Sequence, residues 1–278
     1  MTARVPSLSH GVPRGTIPSL PQGGKPVTDK SAIIVKSSVT QAFETFRSRG
    51  RVLFFSAPCG FGKTALADTL LDGRLVLRLN AADAGFALPS LEDAWDILLI
   101  DELQRIQEER DWQALCALIR ESTDRRFVLL SRGIPPACLM AFQYAGMMTV
   151  LSAEDLLFDR EDIRRLLQAC GAEATDSEIG AILKETSGYP LGTAIIARHM
   201  AAGQPYGTEL TAQVCSEVFL YFETAVYRRF DLPIRRFLLE LSPFERFDLE
   251  LARIVSGDNN AAALLDTLWR NTTMLQSR

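Results

Sequence analysis

Five short apolar runs divide the first half of the chain, and helical periodicity fills most of the intervals between them. The runs lie at Val52–Phe55, Leu75–Leu79, Trp95–Ile100, Arg126–Leu130 and Met147–Leu151. Continuous apolar runs of this length are typical of strands that are buried on both faces of a parallel sheet. Strands that alternate with helices require right-handed crossovers. The pattern therefore predicts an α/β domain with a five-stranded parallel sheet over residues 33–152.

Beyond Ser152 the apolar positions recur every three or four residues, which indicates helices. Asp159 is a candidate cap for the first helix, and Thr175 or Asp176 for the second. Gly188-Tyr189-Pro190 interrupts the pattern before a third helix begins. We expect a helical unit over 153–206, a linker at 203–207 and further helices over 207–278.

Residues 1–32 have a different composition from the rest of the chain. They contain five prolines with interspersed glycine and serine, namely Pro6, Pro13, Pro18, Pro21 and Pro26. Such a composition buries little apolar surface. We expect a flexible or loosely docked arm.

The first apolar run leads into a glycine-rich turn and then a helical segment. The residues of this turn and of the first helical positions are Ala57, Pro58, Cys59, Gly60, Phe61, Gly62, Lys63, Thr64 and Ala65. A strand, a tight loop and a helix in this order direct backbone N–H groups and the positive helix end toward one point, which suits a polyphosphate. The pattern is a Walker A motif in which Ala57 replaces the first glycine. The plainer alternative is an ordinary glycine-rich turn.

Two later strands end in polar side chains that suit the same chemistry. The third run ends in Asp101-Glu102, and the fourth in Ser131-Arg132. Asp101 and the Thr64 hydroxyl are candidate Mg²⁺ ligands, and Glu102 could orient or deprotonate an attacking water. Parallel strands present their carboxyl ends at one edge, so Lys63, Asp101 and Arg132 should meet there. The alternative for Asp101-Glu102 is a solvated acidic turn.

Composition restricts the partners of the chain. Thirty basic and 34 acidic residues leave a net charge of −4, which gives no overall electrostatic footprint for nucleic acid. No signal pattern or membrane-length apolar run is visible, so we expect a cytoplasmic protein without membrane contact. The five cysteines are far apart and contain no zinc-type pair. Cys59, beside a helix start, is in an environment that can favour a thiolate, although this loop position can also simply be variable.

Several motifs together carry a resemblance to a known family. They are Ala57–Thr64, Leu99–Glu102, Ser131-Arg132 with Pro135-Pro136, Leu151–Leu156, Gly188–Gly192 and Arg236–Ser242. From about residue 33 onward the chain resembles the signal-transduction ATPases with numerous domains (STAND), and among them the large ATP-dependent LuxR-type, MalT-like transcription regulators. The resemblance implies an AAA+-like nucleotide domain, a helical domain and a winged helix over 207–278.

The resemblance also implies roles for individual residues. Lys63 would stabilise the transferred phosphoryl group, and Arg132 would be a sensor at the end of the fourth strand. Pro190 would pack near the adenine. Each of the last two has a plainer alternative: Arg132 pairs with a surface carboxylate, and Pro190 starts a helix, where proline is favoured.

The function implied by the resemblance is a nucleotide-dependent switch. We expect a chain that binds ATP or ADP with Mg²⁺ and hydrolyses ATP slowly, without the sensor and helix-turn-helix modules of such regulators. Other protein domains or self-association in the ATP state are the expected partners. Two alternatives stay open: a nucleotide-binding interaction module with negligible hydrolysis, and a regulator that binds DNA through its winged helix, where Arg228-Arg229 and Arg235-Arg236 could contact DNA or, instead, solvent or a partner domain.

Overall fold

A computed structural model describes residues 3–4, 33–244, 246–257, 260–271 and 276–277. The strands are β1 (Ala3–Arg4), β2 (Val52–Ser56), β3 (Val76–Asn80), β4 (Ile97–Asp101), β5 (Arg126–Ser131), β6 (Met148–Ser152), β7 (Arg246–Phe247) and β8 (Gln276–Ser277). The helices are α1 (Ser37–Ser48), α2 (Lys63–Leu70), α3 (Glu109–Glu121), α4 (Ala137–Tyr144), α5 (Ala153–Leu156), α6 (Arg160–Ala169), α7 (Asp176–Thr186), α8 (Pro190–Ala201), α9 (Thr208–Ala225), α10 (Leu232–Leu241), α11 (Leu249–Ser256) and α12 (Ala261–Asn271).

Strands β2 to β6 form one five-stranded sheet in the order β3-β4-β5-β2-β6, and every pairing in it is parallel. All five residues of β2 are buried, whereas the edge strand β3 is only partly covered. This difference follows from position, because an inner parallel strand is covered by helices on both faces. The predicted α/β class and five-stranded parallel sheet are confirmed.

The two faces of the sheet bury separate apolar clusters, since successive side chains of a strand point to opposite sides. Phe54 of β2 lies in the cluster that includes α3 and α4, and Phe55 lies in the cluster that includes α1 and α2. Each of these phenylalanines is fully buried. The alternation fixes the register of β2 and thereby the place where its carboxyl end delivers the following loop.

Helices α6 to α9 form a separate helical unit with its own apolar core. The side chains of Asp159 and Thr175 cap α6 and α7, and each takes part in a capping box. Asp159 is the cap that the sequence predicts, and Thr175 is one of the two candidates that it offers for α7. The unit is tied to the nucleotide domain by Lys36, whose Nζ donates to the Leu157 carbonyl and lies 3.6 Å from an Asp162 carboxylate oxygen.

The structure places α9 with the helical unit. Its inward residues Leu210, Val214 and Val218 are buried in the same cluster as α6, α7 and α8. The predicted boundary between 206 and 207 therefore precedes a helix that packs backward onto the preceding unit. Glycines and a proline mark the turn before α9 in the sequence, but the burial of its apolar face decides where the helix packs.

The remaining helices, α10 to α12, share a small core that contains Phe237 and Phe247. Beside it lies a three-stranded antiparallel sheet in the order β7-β1-β8, in which Ala3 pairs with Phe247 and Ser277. Two residues of the predicted arm, Ala3 and Arg4, thus belong to this sheet. The rest of the arm, 5–32, lies outside the described residues.

None of the helices among the described residues is both long enough and apolar enough to cross a bilayer.

The cap of α6 gives a testable prediction of stability. Asp159 accepts the backbone N–H groups of Glu161 (2.8 Å) and Asp162 (2.9 Å), and replacing it by alanine should cost about 1 kcal/mol of unfolding free energy at pH 7. The backbone hydrogen bond from Asp162, more than any other cause, holds the pKa of the Asp159 carboxyl below its usual value. Urea unfolding at a series of pH values measures the loss.

A depressed carboxyl pKa contributes stability that is present above the unfolded-state pKa of about 3.9 and is lost as pH falls through the folded-state value. The difference between wild type and Asp159→Ala should therefore shrink below about pH 4. Asp159→Asn keeps the acceptor oxygen and is the control: its stability should stay near that of the wild type at pH 7. A constant difference down to about pH 2 would contradict the assignment.

Candidate functional site

The loop between β2 and α2, residues 57–62, is the centre of the site and is called the phosphate loop here. Gly60 and Gly62 have φ values of +82° and +74°, a region that side chains other than glycine seldom adopt. Gly62 is the residue before the first turn of α2. Helix α2 therefore starts at Lys63 with its amino end at the carboxyl edge of the sheet, as the Walker A pattern predicts.

Two carbonyl groups at the start of the phosphate loop bind the side chain of the residue that follows the loop. Lys63 Nζ donates to the carbonyl oxygens of Ala57 (2.7 Å) and Pro58 (2.9 Å). Burial, followed by the nearby charge of Arg132, lowers the pKa of Lys63 to about 8. The ammonium group is thus mostly charged at pH 7, and its hydrogen bonds go to neutral acceptors.

The predicted magnesium ligands lie together at the start of α2. Thr64 Oγ1 donates to Asp101 Oδ2 at 2.8 Å, and the Asp101 Oδ1 accepts the N–H of Glu102 at 2.7 Å. Hydroxyl and carboxylate oxygens are the ligands that Mg²⁺ prefers. An open groove of about 600 Å³ borders both side chains, so water has access to this pair. The donor set fits a magnesium ion.

Glu102 and Arg132 form an ion pair at the centre of the site. Arg132 Nη2 donates to Glu102 Oε1 at 2.5 Å, and the two side chains are only 14% and 17% exposed. The carboxylate that Arg132 meets is therefore the predicted catalytic residue, and it does not lie on the open surface. Glu102 has φ +55°, a strained backbone conformation for a residue with a side chain.

Gln104 joins these two residues, and the sequence reasoning missed it. Its Nε2 donates to Glu102 Oε2 at 2.8 Å, and its Oε1 accepts the N–H of Arg132 at 3.0 Å. The amide thus connects the chain after β4 to the chain after β5. The only local signal is its position, two residues after Glu102.

The helical unit contacts the phosphate loop through main-chain oxygens. Tyr189 Oη donates to the Cys59 carbonyl at 3.0 Å, and the N–H of Leu191 donates to the Gly60 carbonyl at 3.1 Å. Pro190, between them, is buried and is the first residue of α8. Pro190 thus starts a helix, as its plainer alternative states. Its neighbours Tyr189 and Leu191 bind the phosphate loop and so place Pro190 beside it.

The remaining predicted residues line the same region. The ring of Phe61 meets that of Tyr189 edge to face, with centroids 5.4 Å apart. Ala65 lies in the first turn of α2 and is partly exposed. Cys59 is buried, and burial raises the pKa of its thiol. Of the two alternatives for this position, the thiolate is contradicted, because packing removes water from the sulfur.

Two further groups reach the site from the end of α9. The Ala225 carbonyl accepts Arg132 Nη1 at 3.1 Å, and Arg229 Nη1 lies 3.8 Å from Glu102 Oε2. The sequence offered Arg228-Arg229 as a contact for DNA or a partner domain. In the structure Arg229 faces Glu102, and Arg228 pairs with Glu223. No sequence pattern could link residues so far apart in the chain.

The loop geometry predicts unequal effects of two similar substitutions. Both Gly60→Ala and Gly62→Ala place a side chain at positive φ, at a similar cost in unfolding free energy. A Cβ at position 60 would lie 1.8 Å from Tyr189 Oη, whereas one at position 62 meets nothing within 4 Å. Gly60→Ala should lose about 1–2 kcal/mol more, because Tyr189 must leave its acceptor. Equal losses in urea unfolding of the two variants would contradict this contact.

Comparisons with known proteins agree with the geometry. The family model described as the MalT winged helix domain matches residues 223–278. The Walker-type ATPase PABY2304 of Pyrococcus abyssi superposes with a TM-score of 0.54 at 13% identity, over 85% of this chain and 89% of that one. This likeness shows a shared fold. No curated protein matches the sequence.

Two other solved structures align over most of the chain with TM-scores below 0.5. One is a variant of RuvB from Thermotoga maritima, with a TM-score of 0.46 at 18% identity over 84% of this chain and 83% of that one. The other is a STAND protein with a tetratricopeptide repeat sensor from Pyrococcus horikoshii, with 0.45 at 16% identity over 89% and 41%. The parallel-sheet fold and the match over 223–278 confirm that this chain resembles the MalT-like P-loop ATPases that carry a winged helix.

Proposed function

We propose that this chain is an ATP- and ADP-binding molecular switch with slow Mg²⁺-dependent hydrolysis, the ATPase part of a MalT-type, signal-responsive transcription regulator. The observation that carries the proposal is the meeting of Lys63, the Thr64–Asp101 pair and the Glu102–Arg132 pair at one edge of the sheet. These groups provide a cation for phosphate, ligands for magnesium and a carboxylate for water.

Nucleotide binding in this site is an exchange of partners. The Lys63 ammonium would leave the two carbonyl oxygens of the phosphate loop for phosphate oxygens, which carry a full charge and form stronger hydrogen bonds. Thr64 and Asp101 would hold Mg²⁺ in place of their mutual hydrogen bond. When bound, the ion would neutralise charge on the phosphate oxygens.

Hydrolysis requires that Glu102 accept a hydrogen bond from water. In the structure its oxygens accept hydrogen bonds from Arg132 and Gln104. A terminal phosphate near Arg132 would compete for the guanidinium and release one carboxylate oxygen. The role of Arg132 as a sensor follows from this competition.

A switch needs two arrangements that the ligand contacts differently. Tyr189 and Leu191 attach the helical unit to the carbonyls of the phosphate loop, so a change in the loop on nucleotide binding bears directly on the position of that unit. ATP would favour an open arrangement and ADP the closed one. The surfaces freed by opening would then meet other protein domains or a second copy.

A second candidate is a nucleotide-binding interaction module with negligible hydrolysis. It is favoured by the engagement of both Glu102 oxygens within the chain. Measurement of both ATP turnover and nucleotide affinity separates the two functions. Both functions require nucleotide binding, but only the switch hydrolyses ATP and so returns to the ADP state.

The first experiment is to denature freshly purified protein and identify any released nucleotide. Bound ADP supports a closed resting switch. The absence of bound nucleotide, together with no thermal shift in Mg-ATP or Mg-ADP, would refute both candidate functions.

Lys63→Ala should abolish the thermal shift caused by Mg-ATP. At a nucleotide concentration about 100 times the Kd, binding adds about 2.7 kcal/mol to the unfolding free energy, which corresponds to several degrees. Lys184→Ala, at an exposed position of α7, is the matched control and should retain the whole shift. A shift that survives in Lys63→Ala would remove this residue from phosphate binding.

Glu102→Gln should still bind nucleotide and should lower ATP turnover about 10²–10⁴-fold, since the amide cannot take a proton from water. Glu121→Gln, at the exposed end of α3, is the control and should leave turnover unchanged. Phosphate release under saturating Mg-ATP measures the effect. Unchanged turnover in Glu102→Gln would exclude the residue from catalysis.

A further inference from the structure

The segment that follows the helical unit reaches the proposed catalytic carboxylate. Residues 225–229 comprise the last residue of α9, Val226 and the short turn Tyr227–Arg229, and this segment is called the latch here. It makes two contacts with the site: the Ala225 carbonyl accepts Arg132 Nη1, and Arg229 Nη1 lies 3.8 Å from Glu102 Oε2. The latch and the ends of β4 and β5 are thus joined through one ion pair.

The guanidinium of Arg132 serves two partners at once. One of its terminal nitrogens binds the Glu102 carboxylate, and the other binds the latch at Ala225. A guanidinium group whose two terminal nitrogens are both engaged cannot bind a new anion without losing at least one partner. Any anion that recruits Arg132 therefore weakens either the hold on Glu102 or the hold on the latch.

Arg229 adds a second positive charge to the same carboxylate. Glu102 Oε2, which accepts the Gln104 amide, also faces Arg229, so each oxygen has a cationic neighbour. The Arg229 side chain is 49% exposed, which limits the strength of its pairing with Glu102 to that of a partly screened ion pair. It can hold Glu102 when the latch is in place and leave it when the latch moves.

We propose that the latch is an inhibitory ligand of the ATPase site, in which Arg229 and the Ala225 carbonyl keep Glu102 and Arg132 away from nucleotide. The inference rests on the proposed switch function and names its regulation. Because coupling of binding free energies is reciprocal, displacement of the latch by a partner favours ATP, and ATP favours displacement of the latch.

The neighbouring arginine supplies a matched control. Arg228 has the same charge, lies in the same turn and pairs with Glu223 of α9 instead of with Glu102. Arg228→Ala removes an equal charge from this segment without touching the site. Any effect confined to Arg229 is therefore an effect of its contact with Glu102.

Arg229→Ala in the full chain should raise saturated ATP turnover about two- to fivefold, the range that a partly exposed ion pair allows. The ratio of the Kd for Mg-ATP to that for Mg-ADP should fall by a similar factor. Arg229→Glu should exceed both effects, since repulsion replaces attraction, and Arg228→Ala should change neither. Identical behaviour of Arg229→Ala and Arg228→Ala in both measurements would overturn the proposal.

A double-mutant cycle tests whether the effect passes through Glu102. In a Glu102→Gln background, Arg229→Ala should change the Kd ratio less than in the wild type, because the charge that it faces is gone. An undiminished effect would show that Arg229 acts on the nucleotide by another route and would overturn the latch assignment.

Hydrogen exchange without nucleotide separates failure of the latch from failure of the switch. Arg229→Ala should speed amide exchange over residues 223–231 relative to wild type and to Arg228→Ala, whether or not the chain binds ATP. Unchanged exchange would overturn the latch contact while leaving nucleotide binding intact. Loss of Mg-ATP and Mg-ADP binding in the wild type would instead refute the switch.

Discussion

The site depends on the parallel alignment of β2, β4 and β5. Ser56 at the end of β2 is in register with Ser131 at the end of β5, and Ile100 of β4 with Leu129 of β5. The chain therefore leaves all three strands at the same edge, where it delivers the phosphate loop, the Asp101-Glu102 pair and Arg132. Antiparallel pairing of any one strand would carry its polar residues to the opposite edge. Burial on both faces fixes this register.

Each of the charged side chains at this edge has a hydrogen-bond partner within the chain. Lys63 rests on carbonyl oxygens, Asp101 on the Thr64 hydroxyl, and Glu102 on Arg132. The affinity for a ligand is then a difference between two sets of contacts and not the sum of the new ones. A site built this way responds strongly to whatever strengthens or weakens the internal contacts, because each of them competes directly with the ligand.

The sequence predicted the sheet and the ends of its strands because apolar runs and glycine turns are local signals. It also predicted the cap Asp159 and offered Thr175 as one of two candidates for the next cap, and the partners of both lie within three residues. It could not predict Gln104 and Tyr189, whose partners are 28 and 130 residues distant. Burial by distant segments also raises the pKa of the Cys59 thiol and decides where α9 packs, and neither effect can be read from the local pattern.

Both hydrogen bonds that Tyr189 and Leu191 donate to the phosphate loop are accepted by backbone oxygens. Tyr189 and Leu191 donate to the carbonyls of Cys59 and Gly60, so the side chain at position 59 takes no part in those hydrogen bonds. Replacement of Cys59 by another residue of similar size would therefore leave these two hydrogen bonds in place. Residue 60 has no such freedom, because the phenol occupies the space where a methyl group would stand. Two adjacent positions of one loop thus differ sharply in the substitutions that are compatible with the contact to Tyr189.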